Sequence, residues 1–209
     1  MMNVKQFNSN TTFSCNVYIC SSKQGNFIID PGYVDDKMIK YINEIGGIDF
    51  ILITHGHFDH IYGLNKLVDL YPNVDVYAYK DELDVIYDPK KNCSVLFDGR
   101  RLEIEKDIIP LDEGMISING YKIRVIHTPG HTKGGVIYIF DNEKSVFFGD
   151  TVICESIGRY DLPTSNQAKL FNSLNKIKEL ELSHDYSAYF GHGNPYTIEK
   201  LFKVNNYLK

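Results

Sequence analysis

The sequence predicts an α+β fold in which two β-sheets pack face to face and helices cover their outer surfaces. Two observations support this prediction. Apolar, β-branched runs of strand length occur in two blocks of the chain, and segments with helical periodicity flank each block. No linker or change in composition divides the 209 residues, so we expect a single domain over residues 1–209.

The first block begins with a predicted hairpin, in which residues 13–20 and 26–30 flank the turn-like sequence SSKQG. Apolar residues at helical spacing between positions 34 and 45 predict a helix, which GG ends. The pattern then predicts a buried strand, FILIT, and three further elements: a helix over 61–71, a strand over 74–79 and a helix over 80–88.

The second block follows a stretch of mixed charge and weak periodicity, residues 88–107. A loop of that length within a compact domain is more often functional than idle. Beyond it the pattern predicts strands over 121–126, 135–140 and 145–149, a helix over 165–180, a strand over 186–191 and a closing helix over 197–208.

The composition restricts the classes of partner and compartment. The formal charge is −5 and the basic residues are scattered, which disfavours nucleic acid as a partner. No apolar run reaches the roughly 20 residues that cross a bilayer, and the first residues lack a signal-peptide pattern. The four cysteines form no CxxC pair, so we expect free thiols and a cytoplasmic protein. The oligomeric state is not predicted.

The segment HGHFDH, residues 55–60, places three histidines and an aspartate directly after a predicted strand. His55 and His57 are two apart, so they point the same way on an extended segment. Asp59 and His60 follow where the chain is expected to turn into a helix. Imidazole and carboxylate groups are the usual ligands of zinc and similar ions. One such cluster cannot fill two coordination spheres, so further ligands must come from elsewhere.

Three later residues meet that need: His131 in HTPGH, Asp150 in FFGD and His192 in YFGHG. Each follows an apolar strand and lies beside a glycine or one residue from it. Strand ends gather at one edge of a sandwich, where a rigid scaffold can present ligands. The alternative, a purely structural role for all seven residues, requires four separate segments to agree by accident.

This pattern of H-x-H-x-D-H with three later ligands resembles the complete ligand set of the metallo-β-lactamase superfamily. IIDPG, which contains Asp30, resembles an early motif of that superfamily. The resemblance runs from about residue 16 to residue 192 and implies a four-layer αβ/βα sandwich. It also implies two divalent metal ions, with zinc favoured and iron or manganese as alternatives. One ion would be held by His55, His57 and His131, the other by Asp59, His60 and His192, with Asp150 bridging them.

Two further stretches resemble hydroxyacylglutathione hydrolases, the glyoxalase II-like members of the superfamily. GRYDLP, residues 158–163, is similar to their G-R-x-D-L-P signature, and DPKKNCS, residues 88–94, is similar to a loop of their short bacterial members. The resemblance implies hydrolysis of a small anionic thioester of the S-2-hydroxyacyl type, with Asp59 orienting the nucleophile. Only 17 residues follow His192, and full-length relatives carry a helical extension there, so glutathione specificity is weakly supported.

Three residues are candidates for binding the substrate. Arg159 could hold a carboxylate through its planar fork of donors, unless it forms a structural salt bridge with Asp161. Lys133 could face the same anion, unless it is simply solvated. Tyr160 occupies a position where relatives commonly have a small hydroxyl residue, which argues against an identical substrate.

The same fold supports other chemistry, so four alternatives stay open. An iron-dependent persulfide dioxygenase would use the first three histidines and leave the second set idle. A lactonase or phosphodiesterase would use both metals. A nuclease is disfavoured by the acidic charge. A metal-binding protein without catalysis would be expected to lack Asp59 or another ligand, and none is missing.

Overall fold

The structure is a computed structural model that describes residues 2–9 and 15–209. The first half of the chain forms a six-stranded sheet in the order β1–β2–β3–β4–β5–β6. Neighbours from β1 to β3 are antiparallel, and neighbours from β3 to β6 are parallel. Its strands are β1 (Asn3–Asn8), β2 (Asn16–Ser22), β3 (Gly25–Ile29), β4 (Phe50–Ile53), β5 (Asp75–Tyr79) and β6 (Ile109–Leu111).

The second half of the chain contains β7 (Gly114–Ile118), β8 (Tyr121–His127), β9 (Val136–Phe140), β10 (Ser145–Phe147), β11 (Val152–Ile153), β12 (Ser156–Ile157), β13 (Ser187–Tyr189) and β14 (Tyr196–Thr197). The strands β11 and β12 form a separate two-stranded ribbon. The other six form the second sheet, in the order β14–β13–β10–β9–β8–β7.

Most helices are short and lie between strands. They are α1 (Asp36–Glu44), α2 (Phe58–Ile61), α3 (Leu64–Leu70), α4 (Leu83–Ile86), α5 (Ser94–Phe97), α6 (Gln167–Lys178) and α7 (Ile198–Val204), with a 3-10 turn over Lys80–Glu82 before α4. Among the described residues, none of these helices combines the length and the apolar character needed to cross a bilayer. All four cysteines are free thiols, as predicted.

The fold has four layers, two sheets and the helices outside each, and a cluster of buried residues lies between each pair of neighbouring layers. Successive residues of a strand face opposite sides of its sheet, so each sheet contributes to two clusters. In β3, Ile28 packs outward against α1 and α3, whereas Phe27 packs inward between the two sheets. There Phe27 stacks on Phe50 of β4 and Phe140 of β9, with ring centroids 4.7 and 5.2 Å apart. The helices α6 and α7 cover the outer face of the second sheet. The predicted αβ/βα sandwich is confirmed.

Several predicted boundaries were wrong for identifiable reasons. The helix expected over 61–71 is two helices, α2 and α3, because the Gly63 backbone N–H donates to the carbonyl oxygen of Pro31 at 2.8 Å instead of to the carbonyl oxygen four residues earlier. The helix expected over 197–208 ends at Val204, where the Asn205 side chain donates instead to two carbonyl oxygens of the β11–β12 ribbon region. Residues 13 and 14 of the predicted hairpin lie outside the described residues.

Segments without a clear sequence pattern also form structure. The strands β1, β6, β7, β11, β12 and β14 were not predicted, and the long stretch over 88–107 contains α5. The predicted meeting of strand ends is present. β4, β8, β10 and β13 all end at the edge that carries the clustered histidines and aspartates.

Candidate metal centre

Three buried imidazoles form what we call the first ligand group: His55, His57 and His131. The loop after β4 carries His55 and His57, and the loop between β8 and β9 carries His131. His57 Nδ1 lies 2.9 Å from His131 Nε2. Burial lowers the pKa values of His55 and His131 and lowers the pKa of His57 to about 3. All three rings are therefore neutral at physiological pH, the form that binds a metal ion.

In two of these rings, a hydrogen bond at Nδ1 determines that Nε2 is the nitrogen left to bind a metal ion. His131 Nδ1 lies 2.8 Å from the carbonyl oxygen of Arg159, to which it donates, so Nε2 carries the lone pair. His55 Nδ1 lies 3.2 Å from the Thr54 hydroxyl, which leaves His55 Nε2 facing the group. The tautomers suit a common metal ion.

The second ligand group is Asp59, His60 and His192. The loop residue His192 follows β13, while Asp59 and His60 open α2. His192 Nε2 lies 3.4 Å from Asp59 Oδ2, and His60 Nε2 lies 3.9 Å from the same oxygen. The charge of Asp150 raises the pKa of His192 to about 11 although burial opposes it. This group is thus surrounded by negative charge suited to a cation.

Asp150 lies between the two groups. Its Oδ2 is 3.3 Å from His192 Nε2 and 3.6 Å from His131 Nε2, and its Oδ1 is 3.5 Å from His60 Nε2. Burial alone would raise the pKa of Asp150, but the positive charges of His192 and His60 hold it well below its usual range. One ionised carboxylate therefore faces both groups at once.

Asp30 holds the second group from behind. Its Oδ1 accepts the Thr54 backbone N–H at 2.7 Å, and its Oδ2 accepts the Thr54 hydroxyl at 2.6 Å and lies 2.9 Å from His60 Nδ1. Asp30, His55 and His60 could also be grouped as ligands. Since both Asp30 oxygens already accept hydrogen bonds, we assign Asp30 to orienting His60 rather than to binding an ion.

The unpartnered atoms of the site fit divalent cations. Four atoms of the candidate ligands are buried and have no hydrogen-bond partner among the described residues: His55 Nε2, His57 Nε2, His60 Nε2 and Asp150 Oδ1. Leaving a buried polar atom unsatisfied costs roughly 1–3 kcal/mol, so four together require an explanation. Ligands of one zinc ion, each about 2.0–2.2 Å from it, lie within about 4.4 Å of one another. The nitrogen and oxygen separations given above meet that limit.

A cavity of about 270 Å³ opens beside both ligand groups. Five of the seven candidate ligands line it: His57, Asp59, His131, Asp150 and His192. Its other walls are mostly apolar, and apart from Arg159 they consist of Phe58, Cys93, Phe97, Ile153, Ile157 and Leu162. The sequence pattern did not identify these wall residues. Two of them, Cys93 and Phe97, belong to the long stretch that was expected to be functional.

The three candidate substrate-binding residues differ in position. Arg159 lines the cavity and also pairs with Asp161, with Nε and Nη2 each 2.9 Å from a carboxylate oxygen. Lys133 Nζ lies 2.6 Å from Asp84 Oδ1, and Lys133 is not among the lining residues. Tyr160 is 42% exposed and also lies outside the lining. Among the described residues, only Arg159 of these three reaches the cavity.

Comparison with protein families adds to this geometry. The family model of the metallo-β-lactamase superfamily matches residues 10–185. A probable metallo-hydrolase of Streptococcus pyogenes is 34% identical over 88% of this chain and 81% of its own length. A hydroxyacylglutathione hydrolase of Francisella tularensis subsp. novicida is 30% identical over 88% of this chain and 68% of its own length.

Solved structures are similar over the whole chain. The B3 metallo-β-lactamase BLEG-1 gives a TM-score of 0.88 at 30% identity, covering 100% of this chain and 99% of that one. A protein named TTHA1623, crystallised in a di-iron-bound form, gives a TM-score of 0.84 at 28% identity, covering 98% and 100% of the two chains. The resemblance that the sequence motifs indicated is confirmed at the level of family and fold.

Proposed function

The chain belongs to the metallo-β-lactamase superfamily, and on that premise we propose that it is a binuclear metal-dependent hydrolase of a small anionic thioester. The observation that carries the proposal is the position of Asp150, whose carboxylate faces both ligand groups within 3.6 Å of a nitrogen in each. A carboxylate in that position can bridge two cations, which an imidazole cannot do as well. We propose zinc as the native metal, with iron or manganese as alternatives.

Two such ions, when bound, supply a Lewis acid and lower the pKa of a coordinated water towards neutrality. The chain's own contribution is orientation. Asp59 lines the cavity and contacts the second ligand group through Oδ2. Its carboxylate is therefore placed to accept a hydrogen bond from the attacking water and to fix its direction. The apolar walls limit the access of other water to the same space.

The leaving group is inferred from what the cavity does not offer. Apart from the five candidate ligands, the titratable residues that the described part of the chain contributes to its lining are Arg159 and Cys93. Burial raises the pKa of Cys93 to about 11, and an arginine stays protonated, so neither supplies a proton near neutral pH. A thiolate leaves without protonation, whereas an amine or alkoxide requires it. The lining thus favours a thioester over an amide or an alkyl ester.

The charge of the substrate is inferred from Arg159. Its Nε and Nη2 are engaged by Asp161, which leaves Nη1 able to meet a substrate carboxylate at the mouth of the cavity. The Francisella relative is named a hydroxyacylglutathione hydrolase, which supports a hydroxyacyl thioester as the first substrate to test. The apolar walls would then contact the acyl group.

The test combines metal analysis with a substrate panel. We expect two divalent ions per chain and hydrolysis of thioesters in preference to lactones, phosphodiesters and persulfides. His57→Ala and Asp59→Asn should each abolish hydrolysis and leave the far-UV circular dichroism unchanged, whereas His184→Ala, at an exposed position, should behave as wild type. Retained hydrolysis by metal-loaded Asp59→Asn would refute the mechanism. Oxygen consumption with a persulfide would instead support the persulfide dioxygenase alternative and contradict the hydrolase.

A further inference from the structure

A buried carboxylate outside both ligand groups joins the two loops that form the first one. Glu82 is 1% exposed and ends the 3-10 turn before α4. Its Oε1 accepts the backbone N–H of Gly56 at 2.7 Å, and its Oε2 accepts the backbone N–H of Gly134 at 2.7 Å. Gly56 lies between His55 and His57, and Gly134 lies three residues after His131. One side chain therefore ties both ligand-bearing loops together.

The backbone around Glu82 is fitted closely to these loops. A Cβ atom added at Gly134 would overlap the backbone nitrogen of Glu82, and one added at Gly56 would lie 2.9 Å from the backbone nitrogen of Ile86. Contacts under 3.0 Å require the backbone to move. The segment 80–86 is therefore packed directly against both loops, and glycine at both positions permits this approach.

Only a carboxylate satisfies this arrangement fully. Each of its oxygens accepts one N–H, whereas the amide of a glutamine would turn a donor towards one of the two N–H groups. Burying a carboxylate is costly, and burial raises the pKa of Glu82 to about 7, although hydrogen bonds from Gly56 and Gly134 oppose the rise. A costly group whose two backbone hydrogen bonds join these loops points to a role in their geometry.

We propose that Glu82 is a positioning residue that fixes the His55–His57 loop relative to the His131 loop and so sets the metal affinity of the first ligand group. Its hydrogen bonds reach backbone amides of the two loops, and it is not among the residues that line the cavity. This inference rests on the proposed metal centre but is independent of the substrate. Outer hydrogen-bond partners of metal ligands typically change metal affinity by about 10–100-fold.

The exposed ion pair between Asp84 and Lys133 offers a matched control, because it links the segment 80–86 to the His131 loop at the surface. Asp84→Asn removes a charge and keeps the shape of the side chain, as Glu82→Gln does, yet the pair is solvent-exposed and such pairs contribute little. Tyr121→Phe provides a control for stability. It removes buried hydrogen bonds to Ser22 and Gly25, near the opposite end of the sandwich from the metal centre.

The experiment measures metal retention by the full-length, metal-loaded protein against a competing chelator, and follows the visible spectrum of the cobalt-substituted form. Wild type is measured first, because failure to bind two ions would remove the metal centre itself. We then expect Glu82→Gln to lose one of its two ions about 10–100-fold more readily than wild type, with an altered cobalt spectrum. Asp84→Asn should match wild type.

Three outcomes would overturn the proposal while leaving the metal centre intact. Glu82→Gln could retain both ions as wild type does. Asp84→Asn could lose an ion equally. Tyr121→Phe could weaken metal retention as much as Glu82→Gln does, at a similar loss of stability. The role of Glu82 would then be merely structural. If Glu82→Gln does not fold, Glu82→Asp answers the same question, because its shorter side chain cannot reach both amides.

Discussion

The first ligand group consists of imidazoles alone and is almost fully buried, whereas the second contains a carboxylate and two side chains that are more exposed. His55, His57 and His131 are between 2 and 5% exposed. In the second group the side chain of His192 is 35% exposed and that of Asp59 is 17% exposed. The second group is therefore more accessible to solvent through Asp59 and His192, although His60 is fully buried and both groups contribute residues to the cavity lining.

The two groups are also held differently. The Glu82 side chain joins the two loops of the first group through their backbone amides. In the second group, Asp30 orients the ring of His60 itself and is tied to Thr54. Glu82 thus contacts the loop backbone of one group, whereas Asp30 contacts a candidate ligand ring of the other.

The largest expected effect comes from the residue that the two groups share. Asp150→Asn keeps the shape of the side chain but removes the charge that faces His60, His131 and His192. We expect metal-loaded protein to bind about one ion instead of two, and hydrolysis to fall by more than about 100-fold, since even an outer partner is worth about 10–100-fold. Metal analysis and kcat/KM check both. Unchanged binding of two ions would show that Asp150 is not shared.

Substitutions at two glycines should affect the two ligand groups separately. A Cβ atom at Gly191 would overlap Asp150 Oδ1 and lie 2.6 Å from His60 Cε1, whereas one at Gly158 would overlap the Asp150 carbonyl oxygen and lie 2.7 Å from His131 Nδ1. We expect Gly191→Ala to weaken the second group and Gly158→Ala to weaken the first, each by at least about 10-fold in metal affinity. Histidine NMR resonances titrated with metal identify the weakened group. Each variant is the control for the other, and identical patterns would contradict the division.

A smaller effect is expected from Asp30→Asn. The amide would present a donor where Asp30 now accepts from Thr54 and faces His60 Nδ1, so the orientation of His60 would be lost. We expect about 10-fold weaker binding at the second group and little change at the first, measured by chelator competition. Loss confined to the first group would mean that Asp30 acts through Thr54 and His55 instead.

The sequence could predict the sheets and the clustering of the candidate ligands because both leave local patterns. Apolar runs mark β4, β9 and β10, and a histidine or aspartate beside a glycine marks the ends of several such runs. Edge strands leave a weaker pattern. β6, at an edge of the first sheet, contains Pro110, a residue typical of edge strands. β7, at an edge of the second sheet, exposes 60% of Met115. Neither segment shows the alternation that identifies a half-buried strand.

The supporting residues were hidden for a different reason. Glu82 acts on amides 26 and 52 positions away, and no local pattern encodes that pairing. Likewise, the sequence could offer Lys133 as a substrate contact but could not reveal Asp84 as its partner. Ligands are chosen by residue type, which a sequence displays. Hydrogen bonds to backbone amides depend on tertiary structure alone.

The smallest expected effect is on the stability of the metal-free protein and tests how the first group is held. Since burial raises the pKa of Glu82 from 4.5 to about 7, protonated Glu82 stabilises the fold below about pH 4.5, and this contribution is lost as the pH rises through about 7. It amounts to at most about 3 kcal/mol. Glutamine does not titrate. The free energy of unfolding in urea should therefore fall more steeply between pH 5 and pH 8 for wild type than for Glu82→Gln, and parallel curves would show that Glu82 keeps one protonation state throughout.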